Sequence, residues 1–387
     1  MRLDNNQKAF IALLQAGLWE DINHNDNHNE NQSGFKGMDW SNLDYQEVMS
    51  LAEQQSVVGL ITAGMERATD KSVPKVELLQ FIGQTLQIEE QNKAMNYFIG
   101  VIIEELRKEK IYAVLVKGQG IAQCYERPLW RTSGDVDLLL DEDNYEEAKV
   151  FFAKIASSIE QEEFVAKHIG FTVDPWLVEL HGHMYFGLSY RVYKVVKEVE
   201  NEILHLGGVR VWNNDGVDVH LPNADNDIII DFTHFLGHFC FGGIGLRQLC
   251  DMCRLLWVYR GKIRKWQLNR RLKEMGLMSE WKVFAAVAVD WLGMPAEAMP
   301  LYNPSKCYKR RAKRAVARIL RVGDMGQNNE EGAGTKQPKW KASISKFFHR
   351  FGEFLNLMTI FPVDAHRFFI NYLIDKVRIG RAKKKNR

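Results

Sequence analysis

The chain has no run of the roughly 18–20 apolar residues that a helix needs to cross a bilayer, so no transmembrane segment is expected. Its first residues, Met1-Arg2-Leu3-Asp4-Asn5-Asn6, lack a charged stretch leading into an apolar core, so no signal peptide is expected either. Cysteine is scarce and odd in number: Cys124, Cys240, Cys250, Cys253 and Cys307. Cys250-x-x-Cys253 has no second pair, and the odd count without an export signal argues for reduced thiols and a cytoplasmic location. There is no internal repeat. Net charge is also small, at +2.

What is present is ordinary for a soluble globular protein: 46% hydrophobic and 26% charged residues in a chain of 387, long enough for two or three domains. The charge is unevenly spread. Residues 303–387 hold 21 Lys and Arg against 6 Asp and Glu, net +15, which leaves 30 against 43 upstream, net −13. A basic C-terminal part of this kind suits an anionic partner such as nucleic acid, a membrane surface or a phosphorylated substrate; equally, it suits docking on the acidic body of the same chain.

The most informative stretch is Ser133-Gly134-Asp135-Val136-Asp137-Leu138-Leu139-Leu140, two carboxylates at the front of an apolar run that reads as a buried strand. Residues i and i+2 of a strand share a face, so Asp135 and Asp137 aim side by side at one spot. Two carboxylates that close repel unless a cation lies between them, and Mg²⁺, which favours hard oxygen ligands and phosphates, is the expected ion. A solvated turn or helix cap is the plainer reading of Asp-x-Asp. Its surroundings favour the metal: Ile111–Val116 reads as a preceding strand, and Lys117-Gly118-Gln119-Gly120 as a glycine turn opening a helix over Ile121–Tyr125. Such a turn presents N–H groups to a phosphate, and Lys117 adds a point charge.

These residues resemble the polymerase-beta-type nucleotidyltransferase superfamily, most closely the bacterial proteins labelled simply nucleotidyltransferase family proteins. The likeness rests on Lys117-Gly118, Tyr125, Pro128, Arg131 and Gly134-Asp135-Val136-Asp137-Leu138-Leu139. It rests further on Glu179-Leu180-His181, and on His234, His238, Leu246-Arg247 and Asp251. It spans about residues 40–260. Gly118-Gln119 stands where the superfamily prefers Gly-Ser, and the gap from Gly118 to Asp135 is longer than usual. The resemblance implies NMP transfer from an NTP with Mg²⁺ or Mn²⁺. It also implies an α/β (α+β) core with a mixed sheet and a nucleotide and phosphate subsite drawn from Lys117, Gly118, Gln119, Arg131 and Gly134.

The superfamily's third carboxylate lies on a later strand. Trp176-Leu177-Val178-Glu179-Leu180-His181 is a short apolar strand with one acid inside, costly unless paired or metal-bound, so Glu179 is the candidate catalytic ligand and Asp174 the fallback. In a two-metal scheme Asp135 bridges the ions, Asp137 assists and Glu179 completes the set. His181 and His183 flank the same place and read as structural or as metal ligands. The Arg131 fork suits a phosphate, or an ion pair with Asp135 or Glu126. Asp231, His234 and His238 share one helical face; packing and lining the cleft is favoured for them over a metal cluster. Arg247 and Asp251, at i and i+4, are expected to pair; the resemblance implies that the helix covers the site.

Along the chain, residues 1–100 read as helical (5–20, 45–68 and 80–108), with an Asn-rich loop at 23–37 and a break at 70–74. A nucleotidyltransferase core is expected over 101–222, with a helix at 145–157 and a hairpin around Asn213-Asn214-Asp215-Gly216. A helical subdomain covering the site follows at 223–302 and a basic helical region at 303–387, with a linker at 325–338. Phe347–Phe361 reads as an interfacial helix or one packed on the bundle, and 378–387 as a frayed tail. Two functions of different class fit. One is a Mg²⁺-dependent nucleotidyltransferase acting on a hydroxyl of a small molecule, protein or RNA end. The other is a catalytically weak nucleotide-binding or interaction module that keeps the fold. A weaker third reading makes the basic C-terminal part an RNA-binding platform.

Overall fold

In the computed structural model, residues 3–20, 35, 40–68, 73–163, 167–184, 187–324, 352, 354–362, 365–368 and 370 are described. Apart from Phe35, the expected loop at 23–37 lies outside them, as do the linker at 325–338 and the tail at 378–387.

Three helices open the chain: α1 (Asn5–Leu18), α2 (Tyr45–Gln54) and α3 (Val58–Arg67). Asp4 caps α1 by accepting from Gln7 N, and Asp44 caps α2 by accepting from Gln46 N and Glu47 N. The single helix expected over 45–68 is therefore two. Ser56, at φ 56°, turns the chain between them, and the Gln55 side chain is buried where it donates to Ile319 O and accepts from Leu246 N. α1 and α3 cross in direct backbone contact. A Cβ on Gly64 would stand 2.0 Å from Leu13 O, and one on Gly17 1.9 Å from Leu60 O, so only glycine fits at either place.

α4 (Lys75–Lys108) is a single helix of 34 residues. Its buried residues Phe81, Thr85, Asn92, Met95, Ile99, Ile102 and Leu106 recur at three, four or seven, which makes one mostly apolar seam. Asn92 and Thr85 are polar members of that seam. Asn92 carries the contacts to the site segment. It donates to Leu129 O (2.7 Å) and Arg131 O (2.8 Å) and so ties down the segment entering the Asp-x-Asp strand.

The core sheet holds β1 (Val114–Val116), β2 (Asp135–Leu139), β3 (Ser158–Ile159), β4 (His168–Val173) and β5 (Trp176–His181), in the order β1-β2-β5-β4-β3. β2 and β5 are parallel and the other pairs antiparallel, so the sheet is mixed, as expected. Two short helices occur here: α5 (Gly118–Ala122) after β1, and α6 (Glu142–Ala153), capped by Asp141, after β2. α5 runs from Gly118 to Ala122 rather than from Ile121 to Tyr125: it starts three residues earlier because Lys117, at φ 57°, already completes the turn. On one face of the sheet Val136, Leu138, Val178, Leu180, Ile169 and Phe171 bury themselves with Tyr145 and Phe152 of α6 and with the seam of α4. The alternate residues of the same strands form the other face.

After α7 (Tyr190–His205) comes the expected hairpin, β6 (Val209–Asn214) and β7 (Val217–Pro222). Its loop is just Asp215-Gly216, both at positive φ (49° and 94°), the geometry of a two-residue primed turn. Five further helices follow among the described residues: α8 (Ala224–Phe241), α9 (Leu246–Val258), α10 (Lys265–Met275), α11 (Met278–Asp290) and α12 (Lys306–Val322). They share one buried cluster with α1–α3, centred on Phe232, Phe235, Phe239, Trp281 and Phe284. Within the expected helix at 347–361, residues 354–360 are helical, and Phe361 packs 5.8 Å from Phe239, so this segment rests on the bundle. Among the described residues no helix is long and apolar enough to cross a membrane.

Candidate functional site

The polar face of the sheet follows from strand register. Asp137 of β2 stands opposite Glu179 of the parallel strand β5, and Asp135 lies two residues before it on the same face. The structure therefore brings together the three carboxylates picked out in the sequence: one oxygen from each of Asp135, Asp137 and Glu179 lies within 4.8 Å of the others. Asp174 is apart from them, exposed in the β4–β5 turn.

Lys117 is delivered to this face by an unusual backbone. Its φ is 57° and ψ −146°, a region that side chains rarely occupy, and Gly118 follows at φ 38°. The Lys117 ammonium reaches Asp137 Oδ1 at 2.6 Å and His234 Nε2 at 3.4 Å. Burial would lower the Lys117 pKa, but Asp137, Asp135 and Glu179 outweigh it and hold it above the ordinary value.

Charge crowding sets the carboxyls apart. The adjacent Asp137 charge, with burial, pushes Asp135 up to about 6. Burial would also raise Glu179. The imidazoles of His168 (Nε2 at 3.1 Å) and His181 (Nε2 at 3.6 Å), with the Lys117 charge, overcome that and hold it well below the usual carboxylate range. His181 Nε2 also lies 2.7 Å from Asp137 Oδ1. A carboxylate trio on one sheet face, of which Glu179 lines a cavity, is the donor set a hard divalent cation takes, and it fits Mg²⁺.

The cavity, of about 400 Å³, is lined by Lys117, Glu179, His181, His183, His234 and His238 among others. His234 and His238 of α8 thus line the cleft, with their Nε2 atoms 3.0 Å apart. Burial first, then the Lys117 charge, keeps both below the ordinary histidine range, His234 far below it. Asp231 does not join them. It is 3% exposed, and burial together with Asp251 and Asp227 pushes its carboxyl far up. His183 contacts Glu200 Oε2 at 3.3 Å.

Three sequence expectations change. Arg131 faces neither Asp135 nor Glu126; it holds Asp251 through two bonds (Nε–Oδ1 2.8 Å, Nη2–Oδ2 2.7 Å) and donates to Ser133 Oγ. Its fork is thereby committed, and a phosphate role does not fit. Arg247 does not pair with Asp251, whose oxygens Arg131 and Tyr125 already occupy; it pairs with Asp324 at 3.1 Å. Gln119 turns inward, 1% exposed, and donates to Asn92 Oδ1 at 2.6 Å, so its side chain does not face the cavity. Gly118 lies against the Asp135 backbone, and Gly134 is exposed just ahead of β2.

The sequence reading missed His168 and Glu163, which also line the cavity. The signal for His168 was available: in His168-Ile169-Gly170-Phe171-Thr172-Val173 the apolar residues alternate, which puts His168 on the polar face. Only the β4–β5 register, with His168 opposite His181, shows that this face is the site.

A family model described as an uncharacterised nucleotidyltransferase matches residues 41–293. The chain belongs to that family. No curated protein and no solved structure matches it. Membership agrees with the mixed α/β core, supports nucleotidyl transfer from an NTP as the general chemistry, and makes the acidic cluster a place that could hold a divalent metal. The family match covers the helices α2 to α11 and every strand among the described residues, so each carboxylate of the cluster and each cavity histidine named above falls within it.

Proposed function

We propose that the chain moves an NMP from an NTP to a hydroxyl of a small molecule, protein or RNA end, with Mg²⁺, or Mn²⁺ in its place, held by Asp135, Asp137 and Glu179. What carries this reading is the convergence of those three carboxylates on one face of adjacent strands beside the cavity. The cation, when bound, would supply positive charge that neutralises the triphosphate and its leaving group.

The protein's own groups do the rest. Lys117, on the cavity wall, offers a point charge to a phosphate oxygen. Glu179 is held ionised, which suits a ligand better than a proton acceptor. His234, kept neutral by burial and by Lys117, is an uncharged polar wall of the cavity, and the acceptor's hydroxyl proton passes to solvent water. The acceptor oxygen then bonds to the α-phosphorus, the α–β anhydride breaks, and pyrophosphate leaves. Arg131 works at one remove, by fixing residues 131–133 ahead of β2 against α9.

One observation favours a second reading. The Lys117 ammonium already sits on Asp137 at 2.6 Å, so the carboxylates are partly neutralised without a metal, as a non-catalytic nucleotide-binding or interaction module would require. The test separates the two. The protein is incubated with Mg²⁺, NTPs labelled at the α- or γ-phosphate, and glycerol, a serine peptide or an RNA 3′ end. Transfer of the α-label alone, lost in Asp135→Asn/Asp137→Asn, supports NMP transfer. Transfer of the γ-label overturns it in favour of phosphoryl transfer, and transfer of neither label favours the second reading.

A further inference from the structure

Mg²⁺ asks for oxygen ligands and has no use for imidazole. Yet two histidines are built into the wall beside the carboxylates, and the proposed transfer uses neither as a metal ligand. His168 and His181 face each other across the antiparallel pair β4–β5, with rings 4.7 Å apart and inclined by 32°. Both turn Nε2 toward one carboxylate: Glu179 Oε2 is 3.1 Å from His168 and 3.6 Å from His181. One ligand atom from each of the three lies within 4.8 Å of the others. Ligands held at about 2.0–2.1 Å around a tetrahedral ion stand about 3.3 Å apart, close to these separations. All three side chains line the cavity, so positions left open on an ion would be reached from it.

We propose that His168, Glu179 and His181 form a second cation site, for a divalent transition metal that binds imidazole, Zn²⁺ being the representative ion. Two imidazoles and one carboxylate are a donor set for zinc-like ions with an open coordination position. The site shares Glu179 with the Asp135/Asp137 pair, and Asp137 Oδ1, 2.7 Å from His181 Nε2, is within reach as a further oxygen donor. It goes beyond nucleotidyl transfer and can be tested without any nucleotide.

The probe is Co²⁺, titrated into the metal-stripped full chain and followed by its visible absorption. The expected result is one saturable equivalent with the intense bands of low coordination number, displaced by Zn²⁺ and untouched by a large excess of Mg²⁺. His168→Gln and His181→Gln should each weaken Co²⁺ binding by about a hundredfold or more, since even outer-sphere partners of metal ligands are worth 10–100-fold. Asp135→Asn should keep the bands. Circular dichroism confirms folding of each variant, and zinc-edge X-ray absorption on the wild type, which needs no variant, should count two imidazoles. No saturable Co²⁺ spectrum, displacement by Mg²⁺, wild-type affinity in His168→Gln, or fewer than two imidazoles at the edge would each overturn the proposal. Loss of NTP binding would leave the Co²⁺ result standing, and loss of Co²⁺ binding would leave the Mg²⁺–NTP reading standing.

Discussion

Lys117 Nζ lies 2.6 Å from Asp137 Oδ1, and both side chains are largely buried, at 11% and 2% exposure. An ammonium so placed stabilises a carboxylate that already has two acidic neighbours. Removing one partner of a buried pair typically costs about 3–5 kcal/mol because it leaves the other charge uncompensated. Lys117→Met should therefore lower the melting temperature of the metal-free protein. Mg²⁺ should restore more stability to the variant than it adds to the wild type, because the cation takes over the lost charge. Thermal scans with and without Mg²⁺ check this; an equal Mg²⁺ effect in both proteins contradicts it.

Asp135 gives a pH-dependent prediction. Its carboxyl is raised to about 6, chiefly by the adjacent Asp137 charge. The folded state thus holds the proton more tightly than the unfolded chain does. This group favours folding at low pH, and that advantage is lost as pH rises through about 6. In metal-free protein, Asp135→Asn should stabilise by on the order of 1–3 kcal/mol at pH 8, and the gain should shrink as pH falls from 6 toward 4. Denaturant titrations at pH 4, 6 and 8 measure it. A gain that grows toward acid would contradict the assignment.

Arg131 and Asp251 test the support of the Asp-x-Asp strand. Each is almost fully buried, and two hydrogen bonds join them. Arg131→Met or Asp251→Asn alone should cost about 3–5 kcal/mol, and the double variant should cost less than the sum. A double-mutant cycle in urea gives the coupling; strict additivity would show that the pair is not a unit.

The contact between α1 and α3 should be intolerant of any side chain. A Cβ on Gly64 would meet Leu13 O at 2.0 Å. Gly64→Ala should destabilise by about 1–3 kcal/mol or more, the range for overpacking, while the protein that remains folded binds nucleotide as the wild type does. Denaturant melts and nucleotide titrations of the folded fraction read both parts.

Much of the core was legible because strand and turn signals are local. The alternation in Asp135–Leu139 put both aspartates on one face, and Asp215-Gly216 marked the hairpin. Glu179 could be picked out as the lone acid in an apolar strand, and the register sets it beside Asp137. What stayed hidden depends on contacts far apart in sequence. Arg131 had to be read without knowing that Asp251, 120 residues away, would claim its fork. His168 carried a polar-face signal but no partner until β4 paired with β5. The break at Ser56 follows from tertiary contacts of Gln55 and of Ser56, which donates to Asp324, and not from a helix-breaking residue.

The most direct test of the account is calorimetric titration of each NTP, with and without Mg²⁺, into the wild type and the Asp135→Asn/Asp137→Asn variant. The account predicts that the wild type binds at least one NTP, that Mg²⁺ strengthens the binding, and that the variant loses the Mg²⁺-dependent part. Binding of no NTP by the wild type, or the same Mg²⁺-dependent affinity in both proteins, would contradict it.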